Sequence, residues 1–197
     1  MGADHRLINF VQDHLRSAKR AETFDELRAA EGPAGKQYWR AWEGLPVRFE
    51  AKKLPKVPEH WLRFNRRRST LSEGNRKAID PPNALLNYLF GILESEAHLA
   101  GMQLGFNPYI GLMHADYPFR PTLAMDLMEP LRPHVELQVL RFVEERTFTA
   151  DEFFETREGV CRLVPPLTTE VTELLYAQIP SVRKIGKQAR AGISGSG

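Results

Sequence analysis

The stretch DPPNALLNYLFGILESEAHLAGM, residues 80–102, decides the fold of this chain. It opens with a helix start, because Asp80 or Asn83 can cap a helix and proline loses no hydrogen bond in a first turn. The apolar residues that follow have helical spacing and continue to about Met102. Residues 105–108, GFNP, then break the pattern. The stretch therefore predicts one long helix with a large apolar face.

One acidic residue of this predicted helix, Glu96, lies among apolar side chains. With a turn of about 100° per residue, it falls within about 40° of Leu85, Leu89 and Ile92. On the same reckoning Glu94 points to the other side. Burying a carboxylate in apolar surroundings is costly unless the group is paired, protonated or bound to a metal. An ion pair is the commoner outcome, with Arg120 or Arg132 as the partner, and a metal site is the alternative.

A second acidic feature is the turn that contains Asp126 and Glu129. Pro121 suits the first turn of a helix, and residues three apart on that helix share one face with Thr122. Two carboxylates one turn apart repel each other, and a cation relieves the repulsion. Pro130 has no N–H and leaves the carbonyl of Asp126 free. A solvated acidic face is the alternative, but the apolar residues between the two acids favour a metal site.

Between these two predicted helices lies His114, in the sequence GLMHAD at 111–116. A single histidine is usually structural or solvated, so the residue alone predicts little. Oxygen ligands with one imidazole suit Mg²⁺ or Mn²⁺ better than zinc. Such a site can polarise a phosphodiester and activate water or a 3′-hydroxyl as the nucleophile.

Basic residues are concentrated in one segment of a nearly neutral chain, whose net charge is +2. Residues 48–77 hold ten lysines and arginines against three glutamates. Within this segment four arginines alternate with Trp61 and Phe64, a pattern that suits phosphate contacts and base stacking. The predicted DNA-binding arginines here are Arg63, Arg66, Arg67 and Arg68. The alternative is a solvated charged face. The aromatic group Tyr38, Trp39 and Trp42 is assigned to the core instead.

Helical periodicity also dominates the rest of the chain, and strand signals are weak. Helices are predicted over Leu7–Arg20, from a capping box at Thr23 and Glu26, from Pro33 to 44–46, over 135–143 and over 168–178. A second capping box starts at Thr149, and Gly159 to Val164 is the best strand candidate. We therefore expect an all-α fold with a single helical domain at 1–190 and a flexible tail at 191–197.

The composition, 42% hydrophobic and 26% charged, is that of an ordinary globular protein. Cys161 is the only cysteine, which excludes an intrachain disulfide and a thiolate metal cluster and favours a reducing compartment. The first residues do not form a signal peptide, and no stretch is apolar enough to cross a membrane. A cytoplasmic location is expected.

Three segments of the chain resemble one family. Residues 83–96 are similar to the central helix of the CRISPR-associated endonuclease/integrase, the catalytic Cas protein of spacer acquisition. GLMH at 111–114 resembles its histidine motif, and RPTLAMDLMEPLRP at 120–133 resembles its acidic motif. Glu31-Gly32 with Ala34 and Tyr38 is similar to its first helices. Three motifs in the right order are far more specific than any one of them.

The resemblance implies that Glu96, His114 and Glu129 are catalytic and bind Mg²⁺ or Mn²⁺, with Asp126 supporting or sharing the metal. It implies a helical catalytic lobe and a metal-dependent DNA endonuclease, in which a spacer 3′-hydroxyl attacks repeat DNA during integration. Arg120 would hold the acidic cluster or contact phosphate, as would Arg132.

Family members begin with a β-rich domain that drives homodimerisation, and the chain is expected to lack it. This leaves open whether a homodimer forms and whether the second small Cas protein binds. Two alternatives remain at this point. The first is a non-catalytic DNA-binding fragment or standalone relative, and the second is a helical interaction protein whose acids only pair with arginines.

Overall fold

The computed structural model describes residues 5–68, 70, 74–111 and 121–176. They belong to two compact units, the first formed by Met1–Leu45 with Asn65–Arg67 and the second by Pro46–Phe64 with Arg68–Gly197. The proposed boundary at residue 190 and the tail at 191–197 lie outside the described residues. The single helical domain at 1–190 therefore stays a prediction.

Two helices, α1 (His5–Arg20) and α2 (Phe24–Arg40), form the first unit. The predicted capping box is present at the start of α2, where the Thr23 hydroxyl accepts from the Glu26 N–H and Glu26 accepts from the Thr23 N–H. The predicted helix start at Pro33 is wrong, because α2 continues through this proline. The cap upstream and the packed rings of Tyr38, Trp39 and Trp42 downstream outweigh the one hydrogen bond that proline removes.

The second unit is organised around α3 (Pro81–Gln103), whose predicted cap is confirmed. Asp80 is fully buried, and its carboxylate accepts from the Asn83 N–H at 2.9 Å and from the Asn83 side-chain amide at 3.0 Å. The buried face of α3 includes Phe90, Leu93, Ala97 and Gly101. The predicted stripe through Glu96 is one edge of this face, since Leu85 and Leu89 are fully buried but Ile92 and Glu96 are half-buried.

Three further helices pack on α3: α4 (Thr122–Met128), α5 (Arg132–Glu145) and α6 (Leu167–Tyr176). A 3-10 turn, Glu129–Leu131, joins α4 directly to α5. Prolines stand in the first turn of both the 3-10 turn and α5, and Pro121 precedes α4, where a missing N–H costs nothing. The helices predicted after Pro121 and over 135–143 are therefore confirmed, and the helix predicted over 168–178 is confirmed as far as Tyr176, the last described residue.

The fold also contains two small sheets. The expected all-α class therefore describes the helices, which make up most of the fold, but not these strands. In the first, β1 (Arg48–Phe49) pairs in parallel with β2 (Thr147–Phe148). In the second, β3 (Phe153–Glu155) pairs antiparallel with β4 (Cys161–Leu163), which lies inside the predicted strand region. Strands of two or three residues are too short to show an alternating pattern in sequence.

An aromatic cluster joins the strands to α5. The Phe148 ring lies 5.4 Å from that of Phe153 and 5.8 Å from that of Phe142. Arg146 stacks on Phe142 and Phe148 and forms ion pairs with Glu152 and Glu170. The Arg146 guanidinium thus packs on one side of the aromatic cluster and links the end of α5 to the start of α6 through Glu170.

Over the described ranges, none of the helices combines the length and the apolar character that a membrane crossing requires.

The buried cap of α3 yields a stability prediction. Asp80→Ala removes the carboxylate that accepts from the Asn83 N–H and from the Asn83 side-chain amide in a buried environment, so we expect a loss of about 2 kcal/mol in the free energy of unfolding. Asp80→Asn keeps one acceptor and should lose less. Urea denaturation followed by circular dichroism measures the change.

Asp151→Ala is the control for this experiment. Its carboxylate pairs with Lys53 at an exposed position, so removing it should leave the unfolding curve unchanged. Equal curves for Asp80→Ala and the parent protein would contradict the role given to the cap.

Candidate metal centre

The loop before α4 is tied to the first turn of that helix by three hydrogen bonds. The Leu123 N–H donates to the Pro108 carbonyl at 3.1 Å. The Thr122 hydroxyl donates to the Tyr109 carbonyl at 3.0 Å and accepts from the Gly111 N–H at 2.9 Å. The backbone of 108–111 therefore lies against α4, on the side that carries Asp126.

Gly111 marks the closest approach between this loop and the acidic helix. A Cβ atom at this position would lie 2.8 Å from the carbonyl carbon of Thr122 and 2.9 Å from Oδ2 of Asp126. Real Cβ contacts are never so short, so only glycine fits here without a shift of the backbone. The half-buried Asp126 carboxylate is thus bounded on one side by the loop main chain.

Glu129 stands one turn further on and is held by an arginine. Its Oε1 accepts from Arg132 Nη1 at 2.7 Å, and both side chains are about one-third exposed. The guanidinium carbon of Arg132 lies 4.9 Å from the centre of the Phe90 ring on α3. The ion pair therefore neutralises Glu129 and anchors the acidic turn to α3.

Two contacts show how the acidic turn runs along α3. Gly101 faces Leu123 and Leu127, whereas Phe90, eleven residues earlier and about 16 Å away along the helix, faces Arg132. The chain from Leu127 to Arg132 thus runs antiparallel to α3. The turn that carries Glu129 passes the part of α3 between Phe90 and Gly101, and Glu96 belongs to that part.

The predicted site is only partly covered by the described residues. His114 and Arg120 lie in 112–120, outside them. Among the residues that are described, no three histidine, cysteine, aspartate or glutamate side chains form a group able to hold a metal. The structure thus brings Asp126 and Glu129 onto one helical face and runs the turn that carries Glu129 past the Glu96 segment. The histidine ligand stays a prediction.

The basic segment divides into exposed and buried arginines. Arg63, Arg66 and Arg68 are exposed, and Arg63 lies 3.7 Å from Glu59. Arg67 is only 8% exposed and stacks over the Trp39 ring at 5.5 Å within the first unit. Arg67 is therefore less accessible to a phosphate than its neighbours in the basic segment, and its assignment as a DNA-binding residue stays a prediction.

Sequence reasoning missed the residues that support the site rather than form it. Thr122 was placed on the acidic face, but its two hydrogen bonds to the loop had no local signal. Gly111 was read only as part of the histidine motif. Cys161 is excluded as a nucleophile, because burial raises the pKa of its thiol far above the usual range and keeps it protonated.

The family model described as CRISPR associated protein Cas1 matches residues 4–176 of this chain. The chain belongs to the Cas1 family. The resemblance seen in its motifs is therefore confirmed.

One Cas1 relative, a CRISPR-associated endonuclease Cas1 of Methanospirillum hungatei, is 30% identical over 159 residues. The alignment covers 80% of this chain and 43% of the relative. Other curated Cas1 relatives are matched to a similar extent, so the chain spans about two-fifths of their length.

Two solved structures share the fold. A casposase bound to integration product superposes with a TM-score of 0.68 at 23% identity, covering 89% of this chain and 53% of the casposase. A Cas6-RT-Cas1–Cas2 complex gives a TM-score of 0.74 at 19% identity, covering 96% of this chain and 20% of the matched chain. At these identities the likeness shows the fold alone.

The close approach at Gly111 predicts a contrast between two glycines of this Cas1 lobe. Gly111→Ala forces the loop away from α4 and should lower the melting temperature by about 5 °C. Gly101→Ala is the matched control, because its Cβ would meet Leu123 and Leu127 at the ordinary distances of 3.5 and 3.6 Å. We expect the control to melt at or slightly above the parent temperature. Differential scanning fluorimetry measures the melting temperatures. Equal melting temperatures for the two variants would contradict the close contact at Gly111.

Proposed function

We propose that this chain is the catalytic lobe of a Mg²⁺- or Mn²⁺-dependent DNA endonuclease that also acts as an integrase. The observation that carries the proposal is the acidic turn of α4, which runs antiparallel past the Glu96 segment of α3 in a chain of the Cas1 family. The match to the Cas1 family covers both of these segments.

The proposed ligands are of the chemical type that a hard divalent cation binds. Glu96, Asp126 and Glu129 are half-buried carboxylates, and Mg²⁺ and Mn²⁺ prefer oxygen ligands with at most one imidazole. We propose Glu96, His114 and Glu129 as the ligands, with Asp126 supporting or sharing the ion. When bound, the ion would supply Lewis-acid polarisation of a phosphodiester and activation of the attacking oxygen.

The protein groups around this set prepare it for binding. Arg132 balances the charge of Glu129 and keeps its carboxylate close to α3. The loop main chain at Gly111 bounds the Asp126 carboxylate. Both contacts reduce the number of side-chain orientations, so less conformational freedom is lost when the ligands converge.

We propose two outcomes for the same chemistry. With water as the nucleophile the lobe hydrolyses a phosphodiester, and with a DNA 3′-hydroxyl it joins strands. The matched casposase, whose structure is bound to integration product, supports the second outcome. The curated relatives named as endonucleases support the first.

DNA is the proposed substrate, and its backbone is contacted by exposed arginines of the basic segment. Arg63, Arg66 and Arg68 meet this requirement, whereas Arg67 does not. Arg120, which belongs to the acidic motif, is also proposed to contact the DNA backbone. The second small Cas protein is proposed as a partner on the strength of the matched Cas1–Cas2 complex, and a homodimer is proposed with it.

The ligand assignment predicts a loss of cleavage without a loss of fold. Glu96→Ala, His114→Ala and Glu129→Ala should each reduce Mn²⁺-dependent cleavage of branched and linear DNA to background. Glu94→Ala, on the same helix but pointing away from Glu96, is the matched control and should cleave like the parent protein. Circular dichroism should show equal helix content in all four variants.

A metal titration separates this function from its alternatives. Mn²⁺ should raise the melting temperature of the parent and of Glu94→Ala, but not that of Glu96→Ala or Glu129→Ala. Cleavage retained by both glutamate variants would refute the catalytic assignment. DNA binding without any metal effect in the parent would favour a non-catalytic DNA-binding fragment.

The exposed arginines yield a separate prediction about binding. Arg66→Ala and Arg68→Ala should weaken DNA binding at every sequence tested and reduce the slope of log affinity against log salt by about one for each residue. Fluorescence anisotropy at several salt concentrations measures both quantities. Lys77→Ala, which removes a lysine already paired with Glu158, serves as the control. Unchanged slopes for the two arginine variants would exclude these side chains from the interface.

A further inference from the structure

We propose that Thr122 is a positioning residue of this centre: its hydroxyl holds the 108–111 loop against α4 and thereby fixes the orientation of the Asp126 carboxylate. The inference rests on the proposed function, because it assigns a role to Thr122 only if Asp126 belongs to a metal site. Thr122 itself touches neither substrate nor metal.

The hydroxyl of Thr122 is used in both of its hydrogen-bonding roles. It donates to the Tyr109 carbonyl at 3.0 Å and accepts from the Gly111 N–H at 2.9 Å, and the residue is 1% exposed. Without the hydroxyl, the Tyr109 carbonyl and the Gly111 N–H both lose this partner. The side chain therefore connects the first turn of α4 to two main-chain groups of the 108–111 loop.

Among the described residues, this end of the loop has a further hydrogen bond to α4, from the Leu123 N–H to the Pro108 carbonyl, but little apolar packing. Tyr109 and Ile110 are 60% and 66% exposed, so their side chains contribute little apolar packing. The loop is instead shaped from within by Asn107, whose side chain accepts from the Tyr109 N–H at 3.0 Å and whose carbonyl accepts from the Ile110 N–H at 3.2 Å. A loop that is preformed but weakly packed depends on its hydrogen bonds to α4 for its position.

The position of the loop determines the space open to Asp126. The main chain at Gly111 approaches so closely that a methyl group would meet Asp126 Oδ2 at 2.9 Å. Any outward movement of Gly111 would open rotamers to this carboxylate that the loop now blocks. Thr122 and Asp126 lie one turn apart on α4, so the helix itself sets the spacing between the connecting hydroxyl and the carboxylate.

Gly111 is the last described residue before 112–120, and it precedes His114 by three positions in sequence. Thr122 therefore holds the end of the described loop. The positioning role concerns Asp126 alone.

The experiment compares Thr122→Val, Thr122→Ser and Thr172→Val in the full chain. Valine keeps the shape and loses the hydroxyl, whereas serine keeps both hydrogen bonds. Thr172→Val is the matched control, because it removes a half-buried hydroxyl that donates to the Thr168 carbonyl at 2.6 Å within α6. The probes are Mn²⁺ alone in a thermal titration, and Mn²⁺ with a DNA substrate in a cleavage assay.

We expect Thr122→Val to need about tenfold more Mn²⁺ for half of the thermal stabilisation, and to lower kcat by about 10- to 100-fold with little change in KM. Thr122→Ser should restore both values. Thr172→Val should lower the metal-free melting temperature without changing the Mn²⁺ midpoint or kcat. A purely structural role for Thr122 would give the behaviour of the control.

Two results would overturn the proposal. One is a Thr122→Val variant with the parent's Mn²⁺ midpoint and kcat, and the other is a failure of serine to rescue. Either leaves the proposed function standing, because the parent still responds to Mn²⁺. A parent protein with neither thermal response nor cleavage refutes the function, and the positioning role with it. Hydrogen exchange at the Gly111 amide, protected in the parent and fast in Thr122→Val, reports the loop contact independently.

Discussion

Half-buried negative charge beside an apolar helix is the constraint on which the rest of the second unit depends. Asp126 and Glu129 lie one turn apart, and neither is fully solvated. Without compensation, their repulsion and desolvation would push α4 away from α3. The compensation for Glu129 is Arg132, which is itself braced on the Phe90 ring of α3. The ion pair between Glu129 and Arg132 therefore helps to hold the acidic turn against α3.

The packing of α3 and α4 makes this arrangement rigid. Leu123 and Leu127 of α4 pack over Gly101 of α3, and the buried Asp80 cap fixes the start of the same helix. Closely packed protein interiors resist gradual deformation. The acidic turn is thus carried on two elements that keep their spacing, which is what a site requires if its ligands are to converge with little reorganisation.

Local signals made α3, α4 and both capping boxes predictable, because caps, first-turn prolines and helical spacing act within a few residues. The parts that escaped prediction depend on contacts distant in sequence. In the first sheet, Arg48 of β1 lies in register with Thr147 of β2. The burial of Arg67 against Trp39 follows from the fold of the first unit. α2 continues through Pro33 because the capping box before it and the aromatic contacts after it outweigh one lost hydrogen bond. The sequence correctly predicts Glu96 beside apolar residues. Glu96 lies at the edge of the buried face, because that face is formed by Phe90, Leu93, Ala97 and Gly101, whereas Ile92 is only half-buried.

On the proposed function, this lobe activates the phosphodiester but does not choose the nucleophile. Water and a DNA 3′-hydroxyl attack the same phosphorus, and a metal site polarises the bond equally for both. The carboxylates on α3 and α4 therefore cannot separate cleavage from joining. Selection must come from whatever holds the 3′-end in line and excludes water, and positioning of this kind is worth several powers of ten in rate. On this proposal, that selection would come from the exposed arginines of the basic segment and from any partner that arranges the DNA.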